Sequence, residues 1–173
     1  YYGAWLSWYL GNGLNLAIGE GVQVGLNSPV ARAMGRDFNA FQQNVALSYV
    51  KDNWNITGNA FFTEGRTSAV MSQPRTANLD FTAIKRDGRM ESGLIAYGQW
   101  DLNRPSVGYG AKQSEVAVGG MISYLIGNQV SLQLKLTTTL QQRNLGGRDT
   151  RLWLQFVVPL HTPPGPEPRN APP

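Results

Sequence analysis

Nine stretches of this chain alternate apolar and polar residues with a period of two, and the connections between them alternate short and long without exception. A period of two puts successive side chains on opposite faces of a β-strand. The stretches run roughly over 1–10, 13–26, 39–50, 54–64, 76–85, 90–101, 112–126, 130–141 and 150–160. The short connections are Gly11-Asn12-Gly13, Lys51-Asp52-Asn53, Arg86-Asp87-Gly88 and Gly127-Asn128-Gln129. The long ones span 27–38, 65–75, 102–111 and 142–149, and Pro29, Pro74 and Pro105 all fall in them, where no ladder hydrogen bond is lost. An antiparallel up-and-down meander places every short turn at one end and every long loop at the other. Transmembrane barrels of outer membranes have that asymmetry, with the short turns periplasmic.

The strand "VSLQLKLTTTL", 130–140, poses the question of which face meets water. Val130, Leu132, Leu134 and Leu136 oppose Ser131, Gln133, Lys135 and Thr137. The same parity holds elsewhere. Trp54, Ile56, Ala60 and Phe62 oppose Asn55, Thr57, Asn59 and Thr63; Leu79, Phe81 and Ala83 oppose Asn78, Asp80 and Thr82. Val116, Val118, Ile122 and Tyr124 oppose Glu115 and Ser123, and Leu152, Leu154 and Phe156 oppose Arg151, Trp153 and Gln155. Strand 90–101 is ambiguous. A soluble barrel with an oily interior shows the same alternation, so aromatic placement must discriminate. Trp8, Tyr49, Trp54 and Tyr124 lie near short turns on the oily face; Phe41, Phe62 and Trp100 lie near the long-loop end. Two such girdles are expected where an apolar band meets lipid headgroups.

Composition agrees. Only 15% of residues are charged, against roughly 25% in ordinary soluble domains. The other face is rich in Asn, Gln, Thr, Ser and Gly, which suits a wet interior. No apolar run of about 18 residues is present, so no transmembrane helix is expected, while barrel strands need only about 9–11 residues. The expectation is a nine-stranded part of a larger transmembrane β-barrel, of about 10–12 strands because closure ordinarily takes an even number. It covers 1–160, lacks at least one strand upstream of Tyr1, and is followed by a proline-rich tail over 161–173. The last strand ends on the short-turn side, which puts the C-terminus in the periplasm.

Within the lumen, Asp80, Lys135, Glu115, Gln133, Arg151, Asn55 and Asn59 are the candidates for solute binding or selectivity. Lys135 costs little there, whereas at mid-depth on the lipid face it costs roughly 2–4 kcal/mol. Asp80 and Lys135 each lie seven residues from the centre of a short turn, so similar depth is expected of them, with either a shared polar network or two independently solvated charges. Glu20 has the parity of Leu16, Ile18 and Val22 on the oily face; the flanking Gly19 and Gly21 permit a bulge that re-aims it, and two compensating irregularities or a protein partner over that patch are the other readings. Basic residues at 32, 36, 66, 75, 104, 112, 143 and 148 crowd the long-loop end, where lipopolysaccharide phosphates lie.

Enzyme chemistry finds no footing. The chain has no cysteine, and its one histidine, His161, is in the tail. Neither a nucleophilic triad nor a His/Cys zinc site can be assembled, no phosphate loop leads into a helix, and no catalytic residue, metal or cofactor is expected. The modest net charge of +4 with low charge density does not suit a nucleic-acid binder.

Three segments, "FQQNVALSYVKDNWNITGNAFF", "ANLDFTAIKRDGRMESGLIAYGQWDLN" and "KQSEVAVGGMISYLIGNQVSLQLKLTTTLQQRNLGGRDTRLWLQFVVPL", resemble the phenol-degradation meta-pathway outer-membrane protein family. The resemblance spans about 39–160. It implies a Gram-negative outer-membrane barrel that passes hydrophobic or aromatic compounds, with outer-membrane lipid and a small solute as partners. A barrel that anchors or surrounds a partner protein, without transport, is the alternative.

Overall fold

A computed structural model of the chain describes residues 2–25, 28–30, 39–65, 74–104, 110–126 and 130–158. Nine strands form: β1 (Tyr2–Gly11), β2 (Leu14–Gln23), β3 (Ala40–Lys51), β4 (Trp54–Gly65), β5 (Thr76–Asp87), β6 (Met90–Asp101), β7 (Ser114–Ile126), β8 (Val130–Arg143) and β9 (Thr150–Val157). They make one sheet in sequence order. Every neighbouring pair is antiparallel. This is the up-and-down meander that the alternating connections require.

The turns follow from their residues. Asp52 and Asn53 both take positive φ, at 52° and 65°, and Asn12 and Gly13 do so at 49° and 85°. Two successive left-handed residues twist a tight hairpin in the sense of its strands, and Asn, Asp and Gly tolerate that conformation best. The β5–β6 ladder closes at Asp87↔Met90. Its turn is therefore Gly88-Arg89, one residue later than the 86–88 expected from sequence, because Gly88 supplies the positive φ of 57°. The 127–129 turn and the tail lie outside the described residues.

The distribution of burial is inverted relative to a water-soluble core. Among the described residues the buried apolar side chains are Ala40, Ala117 and Met121, while Asn44, Thr76, Asp101, Ser123, Thr137 and Thr139 are buried and polar. Leu6, Leu94, Leu152, Leu154 and Phe156 are each more than 60% exposed. The oily face is therefore not folded around an interior of its own, which overturns the soluble barrel with an oily centre. Strand pairing also resolves β6. Leu94 faces Gly120 and Trp100 faces Ser114, on the apolar side; Tyr97 faces Asp80 and Ala117, on the polar side.

Trp8, Trp54, Tyr124, Phe41 and Phe62 are exposed on the apolar face, and Tyr49 and Trp100 are half-buried on it. Lys85 is paired with Trp54, its Nζ 5.6 Å from the ring centroid, so the ammonium group sits against an aromatic near the short-turn end. Glu20 contradicts the bulge expected of it. The β2 ladder to β3 is unbroken, and Glu20 stays on the apolar face between Ala4 and Gln43. It stands two residues along the strand from the Val22↔Phe41 pair, towards the long-loop end. The irregularities lie instead in β1, where Tyr9 pairs with Asn15 and Gly11 with Leu14 so that Leu10 is left over, and in β8, where Ala117 pairs with Thr139 and Val116 with Gln141, so Leu140 bulges.

β1 and β9 do not pair with each other. With nine antiparallel strands between and including them, the two edges run in the same direction. The sheet is consistent with part of a larger barrel, and an all-β sheet with an apolar outer surface is compatible with an outer-membrane barrel.

Candidate functional site on the polar face

The polar face is a set of cross-strand rows. One runs Ala17–Ala46–Asn59–Asp80–Tyr97–Ala117–Thr139. Another runs Asn55–Ile84–Gly93–Met121–Lys135–Trp153. All seven sequence candidates, Asp80, Lys135, Glu115, Gln133, Arg151, Asn55 and Asn59, share this face. The ladder brings Asp80 across from Thr139, four residues from Lys135. Among the described residues no hydrogen bond or ion pair joins Asp80 to Lys135.

A different network forms, towards the long-loop end of β6–β9. The Arg151 guanidinium lies 2.8 Å from Glu115 Oε1 through Nη2 and 3.2 Å from Oε2 through Nη1, a two-pronged grip on one carboxylate. Arg151 Nη1 also donates to the Tyr97 hydroxyl at 2.5 Å, and Nε donates to Asp149 Oδ2 at 2.8 Å. The Thr139 hydroxyl stands 2.8 Å from both Glu115 Oε1 and Asp149 Oδ1. One hydroxyl has one proton, so it serves one carboxylate at a time. Two carboxylates and one guanidinium leave this cluster with one negative charge in excess. Hydrogen bonds from Thr139 and then Arg151 hold the Asp149 carboxyl, in the loop before β9, below its ordinary range.

The remaining charges of this face divide into spent and unspent. Arg86 bonds Glu91 next to the β5–β6 turn. The buried Asp101 carboxylate accepts from the Gln113 backbone N–H at 2.8 Å. Gln133, Asn55 and Asn59 line the face singly, and the Asn55 side-chain oxygen accepts from Thr57 at 2.9 Å. Asp80 and Lys135 have no partner among the described residues. Beside Asp80 a shallow open pocket of about 290 Å³ is lined by Gln42, Phe61, Asn78, Asp80, Tyr97 and Gln99.

Sequence reasoning found Glu115 and Arg151 but neither their contact nor the roles of Tyr97, Thr139 and Asp149. Opposite charges of like parity on β7 and β9 were the available signal. Of the eight basic positions assigned to the long-loop end, Arg75 is bound to Glu64 at 2.6 Å and Lys112 Nζ donates to the Leu102 carbonyl at 2.5 Å. Residues 32, 36 and 66 lie outside the described residues.

Comparison with known proteins adds an independent line. No curated protein and no solved structure matches the chain significantly. A family profile described as "Putative MetA-pathway of phenol degradation" matches residues 1–156, which takes in eight strands entirely and all but the last residue of β9. The sequence resemblance noted over 39–160 thus extends back through β1 and β2, and the chain belongs to the phenol-degradation MetA-pathway family.

Proposed function

We propose that this sheet is wall of an outer-membrane barrel that gives small molecules passive passage, hydrophobic and aromatic compounds among them. The observation that carries the reading is the inversion of faces: leucines and aromatics outside, amides, hydroxyls and charges inside. In hydrocarbon the exposed apolar face costs nothing, whereas in water it is a patch far larger than soluble monomers show. The strands are 8–14 residues long, the range that crosses an apolar layer when tilted. Family membership points to phenol catabolism as the context. In this arrangement the short turns and the end of β9 are periplasmic. The long-loop end, with Arg104, Arg143 and Arg148, meets lipopolysaccharide phosphate. The chain acts as a conduit, without a catalytic step or cofactor.

Liposome swelling or planar-bilayer conductance with the full-length protein tests the proposal. Passage of small neutral and aromatic solutes is expected; a folded, bilayer-inserted protein that passes none would reject it. One observation favours a second reading, in which the barrel anchors or surrounds a partner protein. The adjacent Glu20 and Gln43 form a polar spot on the largely apolar exterior, as a protein-covered patch would. A non-conducting barrel that co-purifies with one fixed partner would select it.

A further inference from the structure

Among the described residues the carboxylates of the polar face are satisfied with one exception. Glu91 has Arg86, Glu115 has Arg151 and Thr139, and Asp101 has the Gln113 N–H. Asp80 has no partner among the described residues, and no cationic side chain among them lines its pocket. The second unspent polar atom there is Asn78 Oδ1, which is buried and receives no hydrogen bond. Both are acceptors. A carboxylate and a carbonyl oxygen cannot satisfy each other; they need a donor from outside. The third element is a ring. Phe61 occupies the polar face among Asn44, Asn78 and Gln99, where water gains nothing from it. Tyr97, directly across from Asp80, already carries the Arg151 guanidinium 6.0 Å from its ring centroid. Phe61 is thus the ring that remains for a ligand.

We propose that this pocket binds a small organic ammonium ion. Its N–H groups meet the Asp80 carboxylate and Asn78 Oδ1, and its apolar substituent lies against Phe61. An ammonium ion beside a carboxylate and an aromatic face gains from both ionic hydrogen bonding and the ring quadrupole. A carboxylate solute is repelled by Asp80, and a neutral alcohol offers a single uncharged donor. The proposal rests on this face being the wet one, but not on the barrel conducting.

The test uses the full-length chain refolded in detergent and three probes that share a benzyl or phenyl ring: benzylammonium, benzyl alcohol and benzoate. Calorimetry should show benzylammonium bound about tenfold or more tightly than benzyl alcohol, and benzoate not at all. Asp80→Asn should bring benzylammonium to the level of the alcohol. Phe61→Leu should weaken benzylammonium more than it weakens methylammonium, which loses only the ring quadrupole. Asn78→Asp, which adds a charge without removing one, should tighten benzylammonium and covers the case in which Asp80→Asn fails to fold. Equal binding of the three probes, or benzylammonium affinity indifferent to both charge-changing variants, would overturn the proposal. Conductance recorded on the same preparations separates the two readings: binding without conductance removes the transport function, and conductance without binding removes the site.

Discussion

Arg151 on β9 grips Glu115 on β7 at 2.8 Å, reaching across the whole width of β8. The contact ties together strands that share no ladder. Glu115 is the less exposed partner, with 13% of its side chain accessible against 38% for Arg151. Removing the arginine therefore strands a carboxylate in partly dry surroundings. Arg151→Met should destabilise the barrel by about 1–3 kcal/mol in denaturant unfolding from micelles, less than a fully buried pair because the guanidinium is partly hydrated. Adding Glu115→Gln should recover part of that loss. A double variant as unstable as the sum of the singles would show that the two side chains do not interact.

Acid should loosen the same corner. The Asp149 carboxyl is held below its ordinary value of 3.8 by Thr139 and Arg151. A depressed carboxyl contributes stability that is fully present above its unfolded value and is lost as pH falls through the folded one. Wild-type stability should thus fall faster than that of Asp149→Asn as pH drops below about 4. Parallel acid profiles for the two proteins would contradict this origin.

Two glycines on neighbouring positions of β7 should respond oppositely to one added methyl. A Cβ on Gly119 would come within 1.8 Å of the Leu136 carbonyl oxygen, whereas one on Gly120 meets nothing nearer than 3.6 Å. Backbone cannot yield as a side chain tip does. Gly119→Ala should cost at least about 1–3 kcal/mol or prevent folding, and Gly120→Ala should be near neutral. Refolding yields of the two variants measure the difference.

Much of this architecture was legible in the sequence, and the reason is local. Strand register depends on parity and turn length, and Gly11-Asn12-Gly13 and Lys51-Asp52-Asn53 advertise both. Strand β6 was not legible because Ile95 and Tyr97 face the polar side while Ser92 and Gly98 face the apolar one, so parity cancels. The Leu140 bulge has no glycine to announce it. The cluster around Arg151 depends on side chains that meet across an intervening strand, a distance no local pattern encodes. Depth counted from turns put Asp80 and Lys135 level, but the ladder leads from Asp80 to Thr139, four residues from Lys135.

The open edges also carry an expectation. β1 and β9 point the same way, so direct pairing would be parallel, and antiparallel closure takes an odd number of strands between them. Two copies in one membrane orientation also present parallel edges and do not solve the problem. Unpaired backbone groups in hydrocarbon cost several kcal/mol each. In the intact barrel the amides along Tyr2–Leu10 should therefore be protected from hydrogen exchange on both edges of the strand. Rapid exchange of alternate amides would leave the β1 edge open.

The absence of native cysteine makes the orientation of the faces directly measurable. Single cysteines placed in turn at residues 131 to 136 of β8, in protein inserted into lipid bilayers, can be challenged with a small water-soluble thiol reagent. Ser131, Gln133 and Lys135 positions should react, and Leu132, Leu134 and Leu136 positions should stay shielded by acyl chains. Reaction at the leucine positions with protection at the polar ones would invert the faces and contradict the account at its base.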